Sequence, residues 1–140
     1  MAREILVDTS GFYALLVRRD DQHTAAKKVL DNARRRRRAF VTTDYVLDET
    51  ITLLAARGLG HLVEPFLQST LDSRACLIEW MNPERFTEAR RLLAKHLDQG
   101  WSFTDCVSFV VMKQRDLRDA LTKDKHFGAA GFVAMLRGAR

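Results

Sequence analysis

Short apolar segments alternate along the chain with longer segments whose apolar residues recur at helical spacing. The short segments, which predict strands, are residues 5–7, 40–42, 76–78, 120–122 and 132–135. Strands separated by helices favour a mainly parallel sheet, because parallel neighbours need a long crossover connection. We therefore predict an α/β fold with helices on both faces of the sheet.

Two apolar stripes at intervals of three and four residues predict amphipathic helices. The first consists of Ala26, Val29, Leu30 and Ala33, and the second of Phe86, Ala89, Leu93 and Leu97. Asn82 and Pro83 are typical of a helix start, with a cap residue followed by proline at the first helical position. Gly58 and Gly60 indicate a break between helices rather than a domain boundary. The sequence has no repeat or proline-rich linker, so we predict one domain over residues 1–140.

Composition is that of an ordinary globular domain. A chain of 140 residues with 46% hydrophobic and 29% charged residues can bury a core without disulfides and is too apolar to be disordered. The first residues contain too short an apolar stretch for a signal peptide, and no later run approaches the ~20 apolar residues of a membrane span. We therefore expect a cytoplasmic protein. Cys76 and Cys106 have no metal-binding spacing, which favours two reduced, buried thiols.

The formal net charge of +5 suits a polyanionic partner, since neutralised phosphates release counterions and thereby add affinity. The run of arginines at residues 34–38 offers a contact for RNA. The interpretation that we favour is a solvated cationic helix end, which interacts well with the helix dipole. Charge alone therefore leaves the partner open.

Four acidic residues are expected at the edge of the sheet where the strands end. Asp8 and Asp124 each directly follow a predicted strand. Glu49 and Asp105 reach the same edge through the first turns of predicted helices. In open α/β sheets, ligands bind outside the carboxyl ends of the strands. This edge is therefore the candidate functional site.

The helical patterns around Glu49 and Asp105 place each residue at the head of a stripe that faces the core. Glu49 shares a helical face with Val46 and Leu53, and Asp105 shares one with Phe109. Ionised carboxylates at such positions need compensation, because burial of an unpaired charge is costly.

Converging carboxylates would repel one another and resist ionisation unless cations lay between them. Mg²⁺ and Mn²⁺ prefer oxygen ligands, and a site without Cys or His ligands suits them better than Zn²⁺. We therefore predict a metal site that is also the catalytic site. Its residues are Asp8, Glu49, Asp105 and Asp124.

These acidic residues also have structural alternatives. Asp105 lies at capping-box distance from a serine, and Asp124 suits a turn or a helix cap. Asp8 has little capping geometry to explain it, since it ends a strand and is followed by Thr-Ser-Gly. The neighbouring Asp44 and Asp48 fit solvent-facing or capping roles.

At these positions the sequence resembles the PIN-domain family. The matching segments are residues 5–10 around the first-strand acid, 44–50 around the second-helix glutamate, and 102–106 and 121–127 around the third and fourth acids. Their order and spacing match throughout, and the resemblance covers essentially the whole chain. The small size resembles the VapC toxins of bacterial toxin–antitoxin pairs more than the larger processing nucleases that carry PIN domains.

The resemblance implies a three-layer α/β/α sandwich with a mainly parallel five-stranded sheet and an Mg²⁺- or Mn²⁺-dependent ribonuclease site. It also implies an RNA substrate, a cognate antitoxin protein and a homodimer. Thr9, Ser10 and Thr104 match polar positions that support the site in this family. Hydrogen bonding at helix starts explains these three hydroxyl residues equally well.

As a mechanism, we expect one or two divalent ions to activate a water for in-line attack on a phosphodiester, leaving 5′-phosphate and 3′-hydroxyl ends. Asp8, Asp105 and Asp124 are the predicted direct ligands, with Glu49 as a ligand or as the residue that orients the water. His126 is a candidate general base, although a surface or phosphate-side contact is the interpretation that we favour.

Other functions stay open at this point. A domain of this type can serve as an RNA or protein scaffold without cutting, or as an RNA-processing nuclease that is not a toxin. A response-regulator receiver would need an acidic pair after its first strand. A haloacid-dehalogenase-type phosphatase would need a second aspartate at the position of Ser10.

Overall fold

The computed structural model describes residues 3–137. Within that range the strands are β1 (Ile5–Val7), β2 (Phe40–Thr43), β3 (Cys76–Glu79), β4 (Asp119–Leu121) and β5 (Val133–Ala134). The α-helices are α1 (Thr9–Leu16), α2 (His23–Arg35), α3 (Asp44–Ala56), α4 (Val63–Asp72), α5 (Pro83–Lys95), α6 (Phe103–Gln114) and α7 (Lys125–Ala129). Short 3-10 helices at Gly60–Leu62 and Leu97–Gln99 follow α3 and α5.

The strands form one sheet in the order β3-β2-β1-β4-β5, and each neighbouring pair is parallel. Ile5 of the central strand lies opposite Phe40 on one side and Asp119 on the other. The predicted parallel α/β sheet is therefore confirmed. Because β1 and β4 are neighbours, the chain segments that leave their carboxyl ends start side by side.

Helices cover both faces of the sheet and make three layers. Ile5 and Val7 point to one face, where they pack in a cluster with residues of α1 to α4. Leu6, between them, points to the other face and packs with residues of α5 to α7. This alternation along a strand buried on both sides explains why β1 is apolar at every position.

The fourth strand is shifted by one residue from the predicted segment 120–122, and the fifth strand is shorter than predicted. The fourth ends at Leu121, and Thr122 lies just beyond the ladder, where its hydroxyl group bonds to the acid after β1. The fifth strand keeps only Val133 and Ala134 of the predicted segment 132–135. Strand ends depend on the hydrogen-bond pattern between strands, which the pattern of residue types along the chain does not report.

Helix α5 begins as predicted but ends earlier than its stripe. Asn82 caps it by accepting from the Arg85 backbone N–H at 2.8 Å, with Pro83 in the first turn. Ala89 is fully buried, whereas Leu97 lies outside the helix and is 72% exposed. The predicted helical stripe is therefore wrong at Leu97, because α5 ends at Lys95 and Leu97 begins the following 3-10 helix.

The predicted break after α3 is confirmed, since Gly58 has a φ of 73° that favours glycine. Both cysteines are free thiols, as expected, although Cys76 is half-buried and only Cys106 is fully buried. Among residues 3–137, no helix combines the length and the apolar character needed to cross a membrane.

Arg115, just past α6, joins the residue before β1 to the end of β3 through its guanidinium group. It donates to both carboxylate oxygens of Glu4, at 2.9 and 2.6 Å, and to Glu79 at 2.6 Å. Arg85 of α5 lies 3.1 Å from the other oxygen of Glu79. Each of these partly buried charges therefore has an opposite charge beside it, which offsets the cost of its desolvation.

Gly11 marks the place where α1 comes closest to the sheet. A Cβ atom added there would lie 2.0 Å from the carbonyl oxygen of Leu121 and 3.1 Å from Cγ1 of Val7. The missing side chain thus lets the start of α1 rest against the carboxyl end of β4. This contact brings the β1–α1 and β4–α7 connections together.

Gly11→Ala should destabilise the protein by at least about 2 kcal/mol, because overpacking costs about 1–3 kcal/mol and the obstacle here is backbone. Chemical denaturation with a fluorescence or circular dichroism readout measures this change. Gly60→Ala is the matched control, since no atom lies within 4 Å of its added Cβ. Equal denaturation midpoints for the two variants would contradict the close approach.

Candidate metal centre

Asp8 directly follows β1 and is the N-cap of α1. One carboxylate oxygen accepts from the Gly11 backbone N–H at 3.0 Å and from the Ser10 hydroxyl at 2.9 Å. The other accepts from the Thr122 hydroxyl at 2.7 Å. The expectation that Asp8 had little capping geometry was wrong, because the Thr-Ser-Gly segment turns directly into a helix and presents the Gly11 N–H and the Ser10 hydroxyl to the carboxylate.

Burial dominates the electrostatics of Asp8, which is 7% exposed. Loss of hydration raises its pKa from 3.8 to about 7. The hydrogen bonds from Thr122, Gly11 and Ser10 favour the ionised form but only partly offset that rise. The negative charge of Asp124 adds to it.

A chain of hydroxyl groups connects Asp8 to the segment after β4. The oxygens of Ser10 and Thr122 are 3.1 Å apart, and each accepts a backbone N–H, from Lys123 at 3.0 Å and from Asp124 at 2.9 Å respectively. Ser10 was a predicted supporting residue, whereas Thr122 was missed. The signal that could have identified Thr122 is its position, since a hydroxyl residue two positions before Asp124 lies at the same end of the strand.

Asp105 and Asp124 both cap helices, as their structural alternatives proposed. Asp105 and Ser102 form a reciprocal capping box at the start of α6, with N–H contacts of 3.0 and 3.1 Å. Asp124 is the N-cap of α7 and accepts from the His126 backbone N–H at 2.8 Å. Capping fixes each side chain but leaves carboxylate capacity free, so a cap can also be a ligand.

Asp105, Asp124 and His126 form one group in the described part of the chain. Each offers a ligand atom, and these three atoms lie within 4.8 Å of one another. The His126 Nδ1 atom is 3.1 Å from Asp124 and 3.7 Å from Asp105. Sequence reasoning noted His126 only as a candidate base or surface contact. Its proximity to Asp105 depends on how α6 and α7 pack.

Asp124 also links this group to Asp8. Burial raises the pKa of Asp105, and the charge of Asp124 raises it further. The same charge raises the pKa of Asp8. Thr122 joins Asp8 and Asp124 directly, because its hydroxyl donates to Asp8 and accepts from the Asp124 backbone N–H. Three of the four predicted residues therefore lie together at one edge of the sheet.

Glu49 approaches this edge from α3 but lies outside the group of three. It is the sixth residue of α3, in the second turn rather than the predicted first turn. Glu49 is exposed, although Val46 on the same helical face is buried. The Thr9 hydroxyl donates to its carboxylate, which connects Glu49 to the residue beside Asp8.

The remaining polar predictions near the site have mixed outcomes. Thr104 is half-buried in the first turn of α6, and its supporting role stays a prediction. Asp48 is exposed, as expected. Asp44 is not a cap, because Thr43 caps α3, and it accepts instead from the Met81 backbone N–H at 3.0 Å.

The chemistry of these side chains fits a hard divalent cation. Carboxylate oxygens dominate the set, and the raised pKa values of Asp8 and Asp105 reflect the cost of charging them without a counterion. A divalent ion would remove that cost and favour the ionised carboxylates. Oxygen ligands of this kind suit Mg²⁺ or Mn²⁺, whereas thiolate ligands would select softer metal ions.

The chain belongs to the PIN-domain family, whose model matches residues 5–133. A 23S rRNA-specific endonuclease VapC20 of Mycobacterium tuberculosis is 33% identical over 129 residues, covering 92% of this chain and 95% of the relative. A VapC ribonuclease of Archaeoglobus fulgidus is 29% identical over 116 residues, covering 81% of this chain and 72% of the relative.

The crystal structure of M. tuberculosis VapC20, described as a Sarcin-Ricin loop cleaving toxin, is similar with a TM-score of 0.82 and 31% identity. The match covers 93% of this chain and 97% of that one. The expected PIN-like three-layer fold is therefore confirmed along nearly the full length of both proteins.

Without divalent ions, the free energy of unfolding should fall as pH rises from about 4 to about 7, the interval between the pKa of Asp8 in the unfolded and folded protein. The folded protein holds a proton there that the unfolded chain releases, which contributes up to about 1.4 kcal/mol per pH unit. Above that interval Asp8 causes no further decrease in the free energy of unfolding. Thermal unfolding in chelator across this range measures the slope.

Asp8→Asn has no such proton to release, so its slope should be shallower and its melting temperature at about pH 8 higher than that of the wild type. Asp48→Asn is the control and should keep the wild-type slope, because Asp48 is exposed. If Asp8→Asn and wild type had the same slope, burial of Asp8 would not govern the pH dependence.

Proposed function

We propose that this protein is a metal-dependent endoribonuclease formed by a single PIN domain over residues 1–140. The observation that carries the proposal is the placement of Asp8, Asp105 and Asp124 at one sheet edge in a chain of the PIN-domain family. Thr122 bonds to both Asp8 and Asp124, and Asp124 lies beside Asp105. Burial and the nearby charge of Asp124 raise the pKa values of Asp8 and Asp105, so a bound Mg²⁺ or Mn²⁺ ion would favour their ionised forms.

In the proposed site, Asp8, Asp105 and Asp124 hold the cation, and Glu49 is either a further ligand or the residue that orients the attacking water. When bound, the ion supplies Lewis acidity, which lowers the pKa of a water and neutralises charge on the phosphate. Thr9 holds the Glu49 carboxylate through its hydroxyl group. Ser10 and the Gly11 N–H fix one oxygen of Asp8.

The proposed substrate is RNA. The net charge of +5 favours a polyanion, and the relative VapC20 is named for cleavage of 23S rRNA. A ribosomal RNA fragment is therefore the first defined substrate to test beside a mixed RNA pool. Mapped ends should carry 5′-phosphate and 3′-hydroxyl groups, because water and not the ribose 2′-hydroxyl is the nucleophile.

We further propose a cognate antitoxin protein and a homodimer as the biological assembly, in a cytoplasmic location. Resemblance to VapC proteins supports the antitoxin. A short protein encoded beside this chain that co-purifies with it would favour a toxin over an RNA-processing nuclease. A protein that binds RNA but never cuts it would favour the scaffold function.

Asp8→Asn and Asp105→Asn should each reduce RNA cleavage by at least about 100-fold, since loss of an outer-shell partner alone costs about 10- to 100-fold. Cleavage should also stop in chelator and return with Mg²⁺ or Mn²⁺. The assay follows defined RNAs on sequencing gels, with circular dichroism as a check of folding.

Asp48→Asn is the matched control for charge, because this exposed residue of α3 lies outside the proposed ligands. It should cleave at nearly the wild-type rate. Wild-type cleavage by Asp8→Asn, or undiminished cleavage in chelator, would refute the metal-dependent nuclease.

A further inference from the structure

The His126 ring lies close to two of the proposed metal ligands. Its Nδ1 atom is 3.1 Å from an oxygen of Asp124 and 3.7 Å from an oxygen of Asp105. Ligands at adjacent corners of an octahedron with bonds of about 2.1 Å lie about 3 Å apart. The nitrogen and the two oxygens are therefore spaced closely enough to share one ion after small side-chain movements.

The position of the ring is set by the surrounding fold. Phe127, the next residue, is fully buried, and its ring packs against Phe109 of α6 at a centroid distance of 4.9 Å. The His126 backbone N–H bonds to the Asp124 carboxylate at 2.8 Å. The side chain of His126 is 27% exposed, so it lies at the mouth of the site rather than free in solvent.

We propose that His126 coordinates the divalent ion directly through Nδ1, beside Asp105 and Asp124, and thereby makes the site prefer Mn²⁺ to Mg²⁺. The inference rests on the proposed function for the presence of an ion. Imidazole nitrogen suits first-row transition ions, whereas Mg²⁺ prefers oxygen ligands and keeps several waters. A site with one nitrogen ligand among its carboxylates therefore discriminates between Mn²⁺ and Mg²⁺ more strongly than a site made of carboxylates alone.

The competing arrangement is a hydrogen bond from Nδ1–H to Asp124, which would leave His126 outside the coordination sphere. The two arrangements need different tautomers, because ligation requires a free lone pair on Nδ1 and a proton on Nε2. They also differ in what surrounds a bound Mn²⁺ ion. Only ligation places a nitrogen nucleus in direct contact with the metal.

The experiment measures binding of Mn²⁺ alone to the full chain, with pulsed electron paramagnetic resonance of the bound ion and competition by Mg²⁺. The wild type should show the ¹⁴N coupling of a coordinated imidazole. His126→Gln should lose that coupling and bind Mn²⁺ at least about 10-fold more weakly. Its Mg²⁺ affinity should change by less than roughly threefold.

Two further variants complete the design. His126→Asp offers an oxygen at the same position, so it should recover Mn²⁺ binding while the nitrogen coupling stays absent. His61→Gln replaces an exposed histidine outside the site and should behave as the wild type. Circular dichroism checks folding, and the wild-type spectrum decides the question even if a variant fails to fold.

Absence of nitrogen coupling in wild-type protein with bound Mn²⁺ would overturn the proposal, as would unchanged Mn²⁺ affinity in His126→Gln. Because RNA is not part of the measurement, the two proposals fail separately. Nitrogen coupling in a protein that never cuts RNA would support His126 as a metal ligand and refute the nuclease function. Metal-dependent cleavage without the coupling would do the reverse. Wild-type protein that shows no saturable Mn²⁺ binding would overturn the ligand proposal, and the cleavage assay with Mg²⁺ and chelator would then decide on the nuclease separately.

Discussion

The hydrogen bond between Asp8 and Thr122 is the interaction on which the site depends. It joins residues 114 positions apart and is possible because β1 and β4 are neighbours in the sheet. Gly11 lets α1 approach the end of β4 closely enough to form it. The hydroxyl of Thr122 also accepts from the backbone N–H of Asp124, so the first and the last of the four predicted acids are held together.

Each of the three proposed ligands has a local structural role as well as a proposed chemical one. Asp8, Asp105 and Asp124 cap α1, α6 and α7, and capping fixes their side chains before any ligand binds. Preorganisation of this kind lowers the cost of assembling a metal site. Burial has an opposing effect, because it raises the pKa of Asp8 to about 7. The folded protein without a cation therefore disfavours the ionised carboxylate that a cation would bind. Stability and cation binding therefore place opposite demands on the same carboxylate.

Much of the fold could be predicted from local pattern. Strands buried on both faces show as short apolar runs, and the Asn82-Pro83 start of α5 follows from capping chemistry that needs no distant partner. The capping box at Asp105 was likewise visible in the spacing of four residues. Boundaries were less well predicted, as with Leu97, because an apolar residue at helical spacing does not reveal that the helix has already ended.

By itself, the sequence determined the order of elements, the parallel sheet and the position of the acids after strands or at helix starts. Only the tertiary structure decided which side chains meet: Thr122 with Asp8, His126 with Asp105, and Thr9 with Glu49. Periodicity describes neighbours along the chain, whereas these distances depend on the strand order and on how α6 and α7 pack. The exposed position of Glu49 and the histidine beside two carboxylates are consequences of that packing, which no local pattern contains.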